Sequence, residues 1–157
     1  LVCSAERGDL SCLELLLEVG APVDIADAVG RTALIAASGR GHLDCVRLLL
    51  ARGASVHHAQ SASSVRAEEV VENRSGRYPK RFTPEATEVL LATNGSTALI
   101  AACDGGHMEV AAALLDAGAP VDACMLTGRT ALMASVSMGH TALVRFLLDR
   151  GASREAR

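Results

Sequence analysis

Apolar and polar positions along this chain alternate in short blocks, and the blocks recur. From Leu43 to Ala51, Leu43, Val46, Leu49 and Leu50 fall at i, i+3, i+6 and i+7, with Asp44 and Arg47 between them. That spacing predicts one apolar face on a helix. Ahead of it, Ala33 to Ser38 are mostly good helix formers, and Thr32 suits the position that caps a helix start. Gly41 is placed to stop this first helix and Gly53 to end the second, since glycine adopts the left-handed backbone that other residues resist. The predicted unit is helix, turn, helix, extended loop. Two short helices cannot bury their own apolar face, so such units must stack on one another. Each leucine shielded that way contributes about 1.5–3 kcal/mol. The small residues Ala36, Ala37, Ala101, Ala102 and Ala134 allow neighbouring helices to approach closely.

The block recurs three times in one register. Gly30, Gly95 and Gly128 correspond, as do Thr32, Thr97 and Thr130, then Leu34, Leu99 and Leu132, and His42, His107 and His140. The second halves match through Leu49-Leu50, Leu114-Leu115 and Leu147-Leu148, followed by Gly53, Gly118 and Gly151. Residues 27–59 and 125–157 share 16 identities over 33 positions, and 27–59 and 92–124 share 14. Residues 1–26 continue the register backwards through Gly8, Leu16-Leu17 and Gly20-Ala21, and Leu1 aligns with Leu34. The first unit is therefore expected to begin partway through its first helix. A further 32 residues, 60–91, lack the pattern and enter where a loop between two units belongs. The predicted organisation is one domain over 1–157, with a partial repeat 1–26, repeats 27–59, 92–124 and 125–157, and the insertion 60–91.

The 33-residue period and the frame G-x-T-A-L-[IM]-A-x-x-x-x-G-H…L-L-x-x-G-A resemble the ankyrin repeat. The resemblance covers the chain outside 60–91. It implies an all-α solenoid of antiparallel helix pairs, with connections projecting as β-hairpin-like fingers and a concave face. Where that family usually has T-P-L-H, Ala33, Ala98 and Ala131 replace the proline, and Ile35, Ile100 and Met133 replace the histidine. That histidine normally ties neighbouring loops, so the loops here are expected to lean on apolar packing. The resemblance also implies a protein-protein interaction module that binds a partner protein or peptide through its fingers and concave face. An alternative is the substrate-recruiting region of a larger enzyme such as a ubiquitin ligase or kinase, the segment itself being inert.

Composition narrows the picture. Half of the 157 residues are hydrophobic but only three are aromatic, so the core must be aliphatic. The net charge of −3 gives no general attraction to nucleic acid or an anionic membrane. No apolar run approaches the roughly 18 residues of a membrane span. Five cysteines without a C-x-x-C pair argue against a disulfide framework and fit a reducing intracellular compartment, cytoplasm or nucleus. The chain opens on Leu1 rather than Met, which suggests a fragment, and the partial first repeat predicts apolar surface and self-association at that end.

No catalytic set, cofactor site or metal site emerges. His42, His107 and His140 lie one repeat apart, roughly 10 Å in stacked helices, too far to share a metal at bond lengths of about 2 Å. Gly39-Arg40-Gly41 and Asp104-Gly105-Gly106 are turns, without the spacing that cradles phosphate. Cys12 and Cys45 take equivalent places on the apolar side of second helices, while Cys124 falls at a finger and should be exposed.

The implied concave face is built from Val29, Arg31 and Arg40, then Asn94, Ser96 and Asp104, then Leu126, Arg129 and Met138, with Glu6 and Arg7 extending the row. Its arginine and apolar content points to an acidic or mixed peptide. His57 and His58 lie at a finger where the equivalent positions hold Asp24-Ile25 and Asp122-Ala123. In the insertion, Arg74, Arg77, Tyr78, Lys80, Arg81 and Phe82 cluster, and Arg77 with Tyr78 forms the anchor pattern of a partner-binding arm. An RNA contact through 74–82 would show steep salt dependence; nucleic acid is the disfavoured partner. Thr83-Pro84-Glu85 is a helix-start signal.

Overall fold

A computed structural model describes residues 1–59, 95–125 and 127–154. Among these residues the chain forms eight α-helices in four antiparallel pairs: α1 (Val2–Arg7) with α2 (Leu10–Glu18), α3 (Ala33–Arg40) with α4 (Leu43–Ala51), α5 (Ala98–Asp104) with α6 (Met108–Asp116), and α7 (Ala131–Ser137) with α8 (Thr141–Asp149). The first helices α1, α3, α5 and α7 pack in series, and the second helices line up beside them. The helix-start signal at Thr83 lies outside the described residues.

The local reasons are those the sequence predicts. The hydroxyls of Thr32, Thr97 and Thr130 accept hydrogen bonds from the backbone N–H groups of Ile35, Ile100 and Met133 at 3.3–3.4 Å, satisfying a donor the first turn leaves free. Gly41 closes α3 at φ 77, with its N–H and that of His42 returned to the last turn. Among the described residues an antiparallel bridge pins each finger: Ala26 with Thr32, Ala59 with Thr97, Cys124 with Thr130.

The core is the aliphatic seam expected from the composition. Leu34, Leu49, Leu99, Ile100, Leu114, Leu143 and Leu147 are fully buried, with Ala33, Ala37, Ala98, Ala102, Ala131 and Ala134 setting the close approach of the first helices. Leu34, Leu99 and Leu132 occupy matching places in successive helices; Leu132, in the fourth pair, is only partly buried. Cys45 and Cys103 are core residues, Cys12 is half-buried, and Cys3 and Cys124 are exposed. The first pair leaves Leu15 and Val19 exposed, and the fourth pair leaves Val136 and Met138 exposed.

Candidate functional site

Three kinds of polar contact between repeats recur along the stack. The first uses the recurrent histidines. Each stands at the residue before a second helix and donates its Nε2–H to a carbonyl of the preceding repeat: His42 to Glu6 at 3.2 Å, His107 to Gly39 at 3.3 Å, His140 to Asp104 at 3.4 Å. The carbonyl can only accept, which fixes the proton on Nε2. Each ring also lies over a turn glycine of the preceding repeat, where a Cβ on Gly8 would come within 2.6 Å of His42 and one on Gly106 within 2.7 Å of His140. These histidines are inter-repeat clasps.

The second contact runs along the inner edge. Arg31, just after the finger glycine, reaches Glu6 at the end of α1, 3.5 Å away and 25 residues earlier. Arg129, its equivalent in the fourth repeat, reaches Asp104 at 2.7 Å, again 25 residues earlier, and also donates to the Ser137 hydroxyl at 2.8 Å. Glu6 additionally takes Arg40 at 2.8 Å. Asp27 braces Arg31 from its own finger, accepting the Arg31 side chain at 3.0 Å and the backbone N–H groups of Arg31 and Val29. The third contact joins the segments that lead out of the second helices: Asp24 accepts from the Ser55 N–H at 3.0 Å and Asp122 from the Ser153 N–H at 2.8 Å.

At the middle step both side-chain contacts are absent among the described residues. Ser96 stands where Arg31 and Arg129 stand, and Gly39 where Glu6 and Asp104 stand. His57 replaces the aspartate, and Pro120, which has no N–H to donate, replaces the serine. The expectation that loops lean on apolar packing in place of a loop histidine is therefore corrected. All three steps carry the histidine clasp and two of them add side-chain ties between the repeats, while among the described residues the middle step has the His107 clasp alone beside its packing.

The charges follow from these contacts. Glu6 is held below the usual carboxylate range, first by the hydrogen bond from Arg40 and then by the charge of Arg31. Burial works against charge on Asp27, but the N–H groups and side chain of Arg31 outweigh it and its pKa is lowered. Asp104 goes the other way: burial raises it despite Arg129 and His140.

The proposed site residues fall into four sets. Arg31, Arg40, Asp104 and Arg129 share one edge and are all ion-paired within the chain. Val29 and Met138 are 49% and 56% exposed, on the finger closed by Ala26 and Thr32 and at the end of α7. His57 is exposed and His58 half-buried, just before the finger bridge of Ala59 with Thr97. Arg77, Tyr78, Asn94 and Leu126 lie outside the described residues. Sequence reasoning placed Glu6 in the row without seeing that it serves two arginines, and it missed Asp27. The signal was present as the 25-residue offset between an arginine and an acid, which becomes meaningful only once the stacking direction is known.

The edge residues enclose a trough rather than a closed pocket. A hollow of about 390 Å3 lies over Ile35, Ala36 and Ala101, between the Glu6/Arg31/Arg40 cluster and Asp104. Among the described residues, no group of three or more His, Cys, Asp or Glu is arranged to hold a metal ion, and no helix is long and apolar enough to cross a membrane.

The family model for ankyrin repeats in three copies matches residues 1–61 and 74–157. The chain belongs to the ankyrin repeat family. The match takes in 74–91, which the periodicity in the sequence leaves outside the repeats. No curated protein sequence matches the chain. Ankyrin repeats are generally protein-protein interaction modules, and the fold is typically non-catalytic. In this ankyrin stack the inner edge carries side chains ordered across repeats, and Arg150 with Asp116, 2.9 Å apart, adds one such pair at the ends of the second helices.

Proposed function

We propose that this domain is a passive recognition scaffold, binding a partner protein or peptide along the trough and the fingers. The carrying observation is the edge itself: Arg31, Arg40, Asp104 and Arg129 are held by ion pairs that bridge different repeats. Side chains fixed before binding lose little freedom on binding, so more of the contact energy appears as affinity. Val29, His57, His58, Leu126 and Met138 add contacts along the fingers and the far end of the row. The insertion 60–91, with Arg77 and Tyr78, contributes a second arm. Residues 1–157 act as one domain in this reading.

Affinity capture with the intact chain, with Arg31→Glu, with Arg129→Glu and with a chain lacking 62–90 tests it. The captured set is expected to shrink in the edge variants while their helix content is unchanged. Identical sets from all four chains would remove the trough and the arm together.

A further inference from the structure

We infer that the trough over the first three repeats takes an extended peptide bearing an apolar side chain and, two or three residues away, a carboxylate. This rests on the recognition reading above and adds the chemistry of the partner.

The apolar seat is the middle step. The two flanking steps fill the inner edge with a guanidinium on a carboxylate; here Gly39 has no side chain and Ser96 supplies only a short hydroxymethyl group. A Cβ on Gly39 would rest 3.6 Å from the Ala101 Cβ, ordinary contact, so nothing but the missing side chain makes the opening. Its floor is Ile35, Ala36 and Ala101, and its 390 Å3 is at the small end of the range for ligand-sized hollows.

The acidic seat is the neighbouring hollow of about 480 Å3, lined by Cys3, Glu6, Arg7 and Arg40. The two hollows share Glu6 and Arg40. Three guanidinium groups, Arg7, Arg31 and Arg40, meet two carboxylates, Glu6 and Asp27, at this end. Arg7 has no ion pair among the described residues, and the Arg40 side chain is 62% exposed while sharing Glu6 with Arg31. One positive charge is left uncompensated, and a partner carboxylate completes it with charge-assisted hydrogen bonds. A lysine or arginine there would meet the same cations. On the far rim Asp104 is already held by Arg129 at 2.7 Å. Neighbouring helices lie about 8–10 Å apart, and an extended chain advances roughly 3.3 Å per residue, which sets the spacing between the two side chains at two or three residues.

The test selects displayed random peptides of about 12 residues, long enough to span three repeats, on the 157-residue chain. An enriched peptide is then measured by fluorescence anisotropy. The expected motif is an apolar residue with Asp or Glu two or three positions away. Gly39→Glu with Ser96→Arg fills the apolar seat with the pair the other steps already carry. It should weaken binding about tenfold or more without lowering the melting temperature. Arg7→Gln with Arg40→Gln should weaken it similarly and flatten its salt dependence. If the first double variant melts below the parent, the second, confined to exposed side chains, decides. Enriched peptides that are basic or uncharged, or whose affinity both double variants leave unchanged, overturn this chemistry while leaving the scaffold reading standing. A chain that enriches no peptide overturns both.

Discussion

The ring of His107 donates to the carbonyl oxygen of Gly39, 68 residues earlier in the chain, whereas the same clasp spans 36 residues at His42 with Glu6 and at His140 with Asp104. The difference equals the 32 residues of 60–91. The stack therefore keeps its register across the interruption. Lengthening a connection costs only logarithmically in closure entropy, and the described ends of this one, Ala59 and Thr97, still meet in a bridge.

The clasp predicts an asymmetry between two glycines. Gly41 and Gly53 both hold positive φ, 77 and 83, so Gly→Ala costs roughly 1 kcal/mol at either from backbone strain. At Gly53 a Cβ meets open space, while at Gly41 it runs into the His107 ring. Urea denaturation should show Gly41→Ala as clearly the more destabilised, and adding His107→Ala should relieve part of its cost. Equal losses at the two glycines would mean that the ring does not hold that position.

Core and edge should separate in the same assay. Leu49→Ala and Leu114→Ala empty fully buried sites and should each cost about 2–5 kcal/mol. Arg31→Glu and Arg129→Glu break ion pairs at side chains about one-third exposed, so the loss should stay near 1 kcal/mol or below. Arg31 and Arg129 thus carry a small stability role besides the binding role proposed for them. A loss at either arginine as large as at the leucines would erase the distinction.

Acid should weaken the fold through the first repeats. Glu6 and Asp27 have folded pKa values below their ordinary 4.5 and 3.8. Their contribution is present above those values and is lost as pH falls through the lower folded ones. Asp104, raised by burial, runs oppositely: its contribution is present below 3.8 and is lost as pH rises through the folded value. Melting temperatures followed from about pH 6 down to about pH 3 should fall less steeply in Glu6→Gln and more steeply in Asp104→Asn. A Glu6→Gln profile parallel to the parent's would contradict the shared role of Glu6.

Thiol labelling should rank the five cysteines. Cys3 and Cys124 are exposed and should react first with a maleimide, and the half-buried Cys12 more slowly. Cys103 is pushed up to about 11 by burial, which outweighs a hydrogen bond from Ser135, and Cys45 is raised by burial as well. Both should label only on unfolding. Mass spectrometry of the native chain showing early modification of Cys103 would refute the packing of α5 against α7.

The elements of the fold were open to reading because each is fixed by local chemistry. Thr32, Thr97 and Thr130 start helices by capping them, glycines end them, and leucines at helical spacing name the buried face. The site was legible only as a row of positions. Arg31, Arg40 and Arg129 looked like free cations in the sequence, and the structure engages each of them with an acid.

The sequence by itself determined the two-helix unit, its period and its aliphatic core, since those depend on contacts within one unit and on a register repeated unchanged. Only the tertiary structure decided which unit's end meets which unit's finger. Arg31 finds Glu6 25 residues back because stacking carries one repeat's finger over the end of the previous repeat's first helix. The same stacking turns two unremarkable residues, Gly39 and Ser96, into the opening in an otherwise paired edge.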